Sequence, residues 1–135
     1  MIDITLQNFE AEVIKASLQT PVLLDVWAEW CGPCKQLGPV LEQLETEYAG
    51  RFVLAKLDAD KVPEIAGQLS QMLGTRSIPL CVMFVGGQPV DGFVGAQPAG
   101  TIRQFLDKHV PSEGALAAEE EVNEAEALLE AGDTD

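Results

Sequence analysis

Two sulfurs stand three residues apart in Trp30-Cys31-Gly32-Pro33-Cys34-Lys35, between the apolar run Pro21-Val-Leu-Leu-Asp-Val-Trp-Ala28 and a segment of helical periodicity. A strand entering a helix at this point puts Cys31 at the helix N-terminus and Cys34 one turn inside. Backbone N–H groups without partners and the positive end of the helix dipole then favour thiolate over thiol at Cys31. Cys31 reads as the attacking nucleophile, and Cys34 as a thiol that is protonated at rest and acts second. Gly32 and Pro33 suit a first helical turn, and a two-residue gap lets the sulfurs meet in a small ring. The chemistry implied is thiol–disulfide exchange. Two other readings stand beside it. A structural zinc site needs four ligands, and only Cys81 and His109 remain to complete one. Two inert core cysteines would leave the Trp-Cys-Gly-Pro-Cys string without a packing reason.

Asp25 lies inside the apolar run, where a carboxyl is costly to ionise. Its pKa is expected to rise far enough for proton exchange near neutral pH, the alternative being a purely structural hydrogen bond. Trp27, in the same run, reads as core. Cys81 follows Pro79 by two residues on a strand and points to the same face. It reads as a buried packing residue, with a third redox thiol as the alternative.

The elements that position these groups follow from periodicity. Residues 2–6 read as a strand, and a helix opening at Asn8-Phe9 aligns Phe9, Val13, Ile14 and Leu18 before Thr20-Pro21 ends it. Residues 21–28 read as a strand covered on both faces. From Gly32 to Ala49 a long helix carries Leu37, Val40, Leu41, Leu44 and Tyr48, with Pro39 expected to kink it. A strand over 52–58 precedes a helix over 61–73 with Ile65, Leu69 and Met72 on one side. Strands Pro79–Val85 and Val90–Val94 flank a hairpin turn at Gly86-Gly87-Gln88-Pro89. A helix over Thr101–His109 turns Ile102, Phe105 and Leu106 inward. This order predicts an α/β fold, a mixed central sheet of about five strands with helices on both faces.

The 135 residues suffice for one domain plus appendages, and a composition 47% apolar and 22% charged is that of a globular chain. A net charge of −14 argues against nucleic acid, whose binding needs clustered Lys and Arg. Residues 111–135 carry nine acids and neither Lys nor Arg, which sets this stretch apart from residues 1–110. Met-Ile-Asp-Ile-Thr has no basic start or apolar stretch of a secretory leader, and no apolar run is long enough to cross a membrane. A cytoplasmic location without membrane attachment is the expectation. With three cysteines in a reducing compartment, a close pair points to catalysis or metal binding.

Over residues 1–110 the chain resembles the thioredoxins, whose active-site segment is matched by Asp25-Val-Trp-Ala-Glu-Trp-Cys-Gly-Pro-Cys-Lys35. Lys56, Ile78-Pro79 and Gly95 fall where that family keeps a lysine, a cis-proline loop and a glycine. The resemblance implies the thioredoxin fold and a protein-disulfide reductase that uses the Cys31–Cys34 disulfide and no other cofactor. It makes Cys31 the nucleophile and Cys34 the resolving thiol. It adds Asp25 to the catalytic set as a proton acceptor and Lys56 as its partner. Ile78, ahead of a cis Pro79, would offer its backbone to a substrate strand. Trp30, Gly32, Pro33, Ile78, Pro79 and Gly95 would surround Cys31 on the substrate side. The implied partners are protein disulfides and thioredoxin reductase, with the chain a monomer. The stretch from Lys56 to Pro79 is about one helical turn longer than in ordinary thioredoxins, which predicts an extended helix around Gln68-Leu-Ser-Gln-Met72.

Gly87-Gln-Pro-Val-Asp-Gly-Phe-Val-Gly-Ala-Gln-Pro98, with Ile102-Arg-Gln-Phe-Leu-Asp-Lys108 and Pro111, is similar to the chaperedoxins of the CnoX (YbbN) type. That resemblance implies a redox-linked holdase that binds unfolding clients, protects their thiols and passes them to chaperonin and Hsp70 systems. Residues 111–135 are then expected to be an acidic helical tail. Ser112 would cap it, Ala115, Ala118, Val122, Ala125 and Leu129 would form a thin stripe, and it would begin a truncated tetratricopeptide region. The alternative is a solvated acidic tail.

Overall fold

The strand that carries Asp25 lies at the middle of the sheet. In the computed structural model, which describes residues 1–111, the strands are β1 (Ile2–Asp3), β2 (Val22–Trp27), β3 (Val53–Asp58), β4 (Leu80–Val85) and β5 (Gln88–Val94). They form one five-stranded sheet in the order β1-β3-β2-β4-β5. β1 and β2 pair in parallel with β3, while β2–β4 and β4–β5 are antiparallel. The sheet is therefore mixed, as expected. The helices α1 (Gly32–Glu47), α2 (Pro63–Leu73) and α3 (Ala99–His109) complete the architecture with an N-terminal helical segment, Glu10–Lys15 continued by Ala16–Leu18. The expected tail over 112–135 lies outside the described residues.

β2 alternates its side chains between two cores. Val22, Leu24 and Val26 join Val13, Ile65, Ala66 and Leu69 on the face covered by the N-terminal segment and α2. Leu23 joins Leu37, Leu41, Leu44, Ile102, Phe105 and Leu106 on the face covered by α1 and α3. Asp25 and Trp27 share this second face by the period of two. α1 runs unbroken through Pro39. The residue is exposed, and so is Lys35, whose carbonyl loses the N–H that proline lacks.

Four sequence expectations are corrected. β1 ends at Asp3, although Ile4 N–H still donates to the Lys56 carbonyl at 2.8 Å. Beyond it Thr5 and Asn8 close on each other, Thr5 N–H donating to Asn8 Oδ1 at 2.7 Å and Asn8 N–H to Thr5 Oγ1 at 3.1 Å. This reciprocal cap turns the chain into the helical segment. Leu18 is 62% exposed and off the face of Val13. The segment winds first as a π-helix and then as a 3-10 turn, so the 3.6-residue period does not apply to it. Met72 is 60% exposed. In the last turn of α2 it is Leu73 that meets the sheet: a Cβ built on Gly92 would come within 3.0 Å of Leu73 Cδ1. The hairpin turn is Gly86-Gly87 alone, both at positive φ (66° and 87°), a conformation open to glycine. Gln88 and Pro89 belong to β5, where proline is tolerated because the strand is an edge.

Candidate active site

β2 ends at Trp27, and Cys31 N–H turns back to the Ala28 carbonyl at 3.1 Å. The turn leaves Cys31 extended (φ −90°, ψ 108°) as the N-cap of α1, with Pro33 in the first turn. Cys31 Sγ accepts the backbone N–H of Cys34 at 3.2 Å, so the sulfur occupies the position of a capping oxygen. An N–H aimed at that sulfur, together with the helix dipole, stabilises negative charge on it. Cys31 and Cys34 are joined in a disulfide with Cα atoms 5.3 Å apart. Both are buried to the same degree, 3% exposed each. The cap, rather than depth, distinguishes the two sulfurs.

The pair packs with Ala28, Trp27 and Ile78. The Ile78–Pro79 bond is cis. Gly95 N–H donates to the Pro79 carbonyl at 2.9 Å, and Gly95 holds φ 91°, a backbone state suited to glycine. Gly32 and Pro33 are exposed beside the sulfurs. Trp30 is 70% exposed, yet it is held, its Nε1–H donating to Asp60 Oδ2 at 2.9 Å. Asp60 escaped the sequence reading. The signal available was the pair Asp58 and Asp60 at the end of β3, where Asp58 Oδ1 accepts the Asp60 N–H at 2.9 Å and fixes the loop.

Beneath α1, one row of side chains crosses the sheet. Asp25 is in register with Lys56 of β3 on one side and with Cys81 of β4 on the other. Asp25 is 1% exposed. Burial pushes its carboxyl up to about 6, and the Lys56 charge and the Cys81 thiol pull back only part of that rise. Among the described residues no ion pair joins Lys56 to Asp25. The Lys56 ammonium lies instead 4.8 Å from the centroid of the Trp27 ring. The expected pairing is thus corrected to action through the field, because Trp27 draws the ammonium to its own face. Cys81 is fully buried, and burial first, then the Asp25 charge, pushes its thiol well above the usual range. No cluster of His, Cys, Asp and Glu able to hold a metal occurs among the described residues. No described helix is long and apolar enough to cross a membrane.

A mixed sheet that feeds its central strand into a helix capped by one sulfur of a Cys-x-x-Cys disulfide defines a thiol–disulfide oxidoreductase. Comparison with known proteins narrows the class. The thioredoxin family model matches residues 1–108. A thioredoxin of Chlorobaculum thiosulfatiphilum is 45% identical over 104 residues, covering 77% of this chain and 91% of that protein. A thioredoxin 1 of a Nostoc species is 41% identical over 107 residues (79% and 94%), and a Staphylococcus aureus thioredoxin is 41% identical over 110 residues (82% and 98%). The chain belongs to the thioredoxin family, and Cys31 and Cys34 are its redox pair.

Proposed function

We propose that this chain reduces disulfides in other proteins, with Cys31 attacking and Cys34 resolving, and is itself returned to the dithiol by thioredoxin reductase in the cytoplasm. The observation that carries the assignment is the cap: Cys31 Sγ accepts the Cys34 N–H, and Cys34 Sγ accepts no such donor among the described residues. Cys31 thiolate attacks one sulfur of a substrate disulfide, forming a mixed disulfide and releasing the first substrate thiolate. Cys34 then loses its proton and attacks Cys31 Sγ. The Cys31–Cys34 bond forms, the second substrate thiolate leaves, and two electrons have passed to the substrate. Asp25, buried on the side of the sheet covered by α1, takes the Cys34 proton, and Lys56 keeps its pKa within working range. Trp30, Ile78 and Gly95 flank the sulfurs and receive the substrate chain, Ile78 through its backbone.

The test is insulin reduction. With dithiothreitol the wild-type chain is expected to accelerate it and Cys31→Ser to do nothing. With NADPH and thioredoxin reductase, turnover is expected to follow the same pattern. Equal activity in Cys31→Ser and wild type would overturn the assignment.

A second reading, a chaperedoxin that also holds unfolding clients, is favoured by one observation. Exposed apolar side chains line the β5 edge, with Leu18 against Gly87, Leu73 against Gly92 and Val90 between those positions in the strand. Suppressed aggregation of a denatured client by the oxidised chain, lost in Leu18→Ser/Val90→Ser with insulin reduction unchanged, would support it. Unchanged aggregation in the presence of the wild-type chain would remove it.

A further inference from the structure

We propose that Cys81 is a positioning residue for proton transfer at Asp25, its S–H holding Oδ1 and leaving Oδ2 as the oxygen that receives the Cys34 proton. The inference rests on the reading of Asp25 as that acceptor and assigns the two oxygens of the carboxyl different tasks.

The geometry comes from two strands. Asp25 and Cys81 are partners in the β2–β4 ladder, so their side chains stand next to each other on one face of the sheet. Cys81 Sγ lies 3.9 Å from Asp25 Oδ1, within reach of a weak S–H donor. Asp25 Oδ2 is buried and has no hydrogen-bond partner among the described residues. A buried carboxylate oxygen without a donor is costly, and its retention calls for a functional explanation. Cys81 belongs to the same buried core cluster as Leu37 and Leu41 of α1 and Ile102 of α3 and is 0% exposed, so the thiol is shielded from water.

The other charged and titratable groups facing the pair are few. β3 contributes Lys56, in register with Asp25. α1, the helix that covers this face of the sheet, has Cys34 as the one titratable group among its buried residues. The buried residues of α3 are Ile102, Phe105 and Leu106, and the β5 partner of Cys81 is Phe93, none of which titrates. Burial and the adjacent carboxylate keep the Cys81 proton on sulfur, so Cys81 donates and does not exchange. In the resolving step the Cys34 proton passes to Oδ2, leaving Cys34 as thiolate and Asp25 as the neutral acid. The Cys81 S–H bond stays intact throughout, and Cys81 neither gains nor loses an electron.

The native protein offers a direct test. The chain has three cysteines, so in the oxidised form Cys81 is the only thiol. Its infrared S–H stretching band is expected to fall in frequency as pH rises through about 6, where Asp25 ionises, and to stay fixed in Asp25→Asn. A band that does not move while the Asp25 carboxyl band titrates would overturn the proposal without any Cys81 variant. In the reduced protein, the pH midpoint of mixed-disulfide resolution is expected to rise by roughly half a unit in Cys81→Val, the size of a weak buried hydrogen bond. It should return toward wild type in Cys81→Ser. In an Asp25→Asn background Cys81→Val should not alter the profile further. If Asp25→Asn leaves the wild-type profile unchanged, the acceptor reading fails and the inference falls with it. If Asp25→Asn removes the limb and Cys81→Val does not shift it, the inference alone fails.

Discussion

Lys56 stands in register with Asp25 across paired strands, yet its ammonium lies 4.8 Å from the centroid of the Trp27 ring instead of in contact with the carboxylate. The carboxyl is therefore left with a large desolvation cost and only partial relief, which is why its pKa stands near 6.

From this follows a pH-dependent stability. The Asp25 pKa is raised from 3.8 to about 6, so between those values the folded chain holds a proton that the unfolded chain has lost. Stability contributed by the neutral acid is complete below about pH 4 and is lost as pH rises through about 6, by on the order of 3 kcal/mol. Asp25→Ala is expected to stabilise the fold at pH 7.5, most of that gain vanishing at pH 4, and to slow exchange near neutral pH. Urea denaturation at the two pH values, with insulin reduction at pH 7, checks it; a variant less stable at pH 7.5 with full exchange rate would contradict it.

The asymmetry at the helix cap separates the two sulfurs. Cys34→Ser is expected to accumulate mixed disulfides with protein substrates, since attack by Cys31 survives and resolution does not. Cys31→Ser should accumulate almost none. Non-reducing gels of each variant after incubation with oxidised substrate proteins report the difference, and equal trapping by both would reverse the assignment.

Trp30 is exposed but tied through Nε1 to Asp60 Oδ2. Asp60→Ala is expected to free the indole, raise KM for a protein disulfide by roughly two- to tenfold, and leave kcat nearly unchanged, as a single hydrogen bond is worth about 0.5–1.5 kcal/mol. Trp30 fluorescence anisotropy in a Trp27→Phe background should fall in parallel. A change in kcat with KM intact would place Asp60 in the chemistry instead.

Cys81 fills core space as well as facing Asp25. Cys81→Ala is expected to lose about 1 kcal/mol of stability through a small cavity while keeping most exchange activity at pH 8, above the titration of Asp25. Thermal denaturation and insulin reduction test this together; loss of activity at pH 8 with stability intact would make Cys81 a third redox thiol.

The sheet and every residue proposed for exchange lie within residues 1–111. Ending the chain at Pro111 is expected to leave insulin reduction unchanged. Unfolding of the shortened chain by circular dichroism would show that residues 112–135 contribute to the packed domain.

Much of this protein is written locally. Cys31, Gly32, Pro33 and Cys34 carry their meaning in types and spacing, because a capping sulfur needs only a strand, a turn and a helix contiguous in the chain. The two-face burial of β2, the inward sides of α1 and α3 and the hairpin near Gly86-Gly87 follow from short-range patterns in the same way. Met72 and Leu18 did not, since burial at the end of a helix depends on which element it meets, and the π and 3-10 winding around Leu18 breaks the 3.6-residue period. Asp60 was invisible beside Trp30 because 30 residues separate them. The relation that organises the proposed proton transfer was decided only in three dimensions. Lys56, Asp25 and Cys81 come from three strands, and the register that lines them up across the sheet is set by the packing of both faces. So is the competition that sends the Lys56 ammonium to Trp27 and leaves one oxygen of Asp25 without a partner among the described residues.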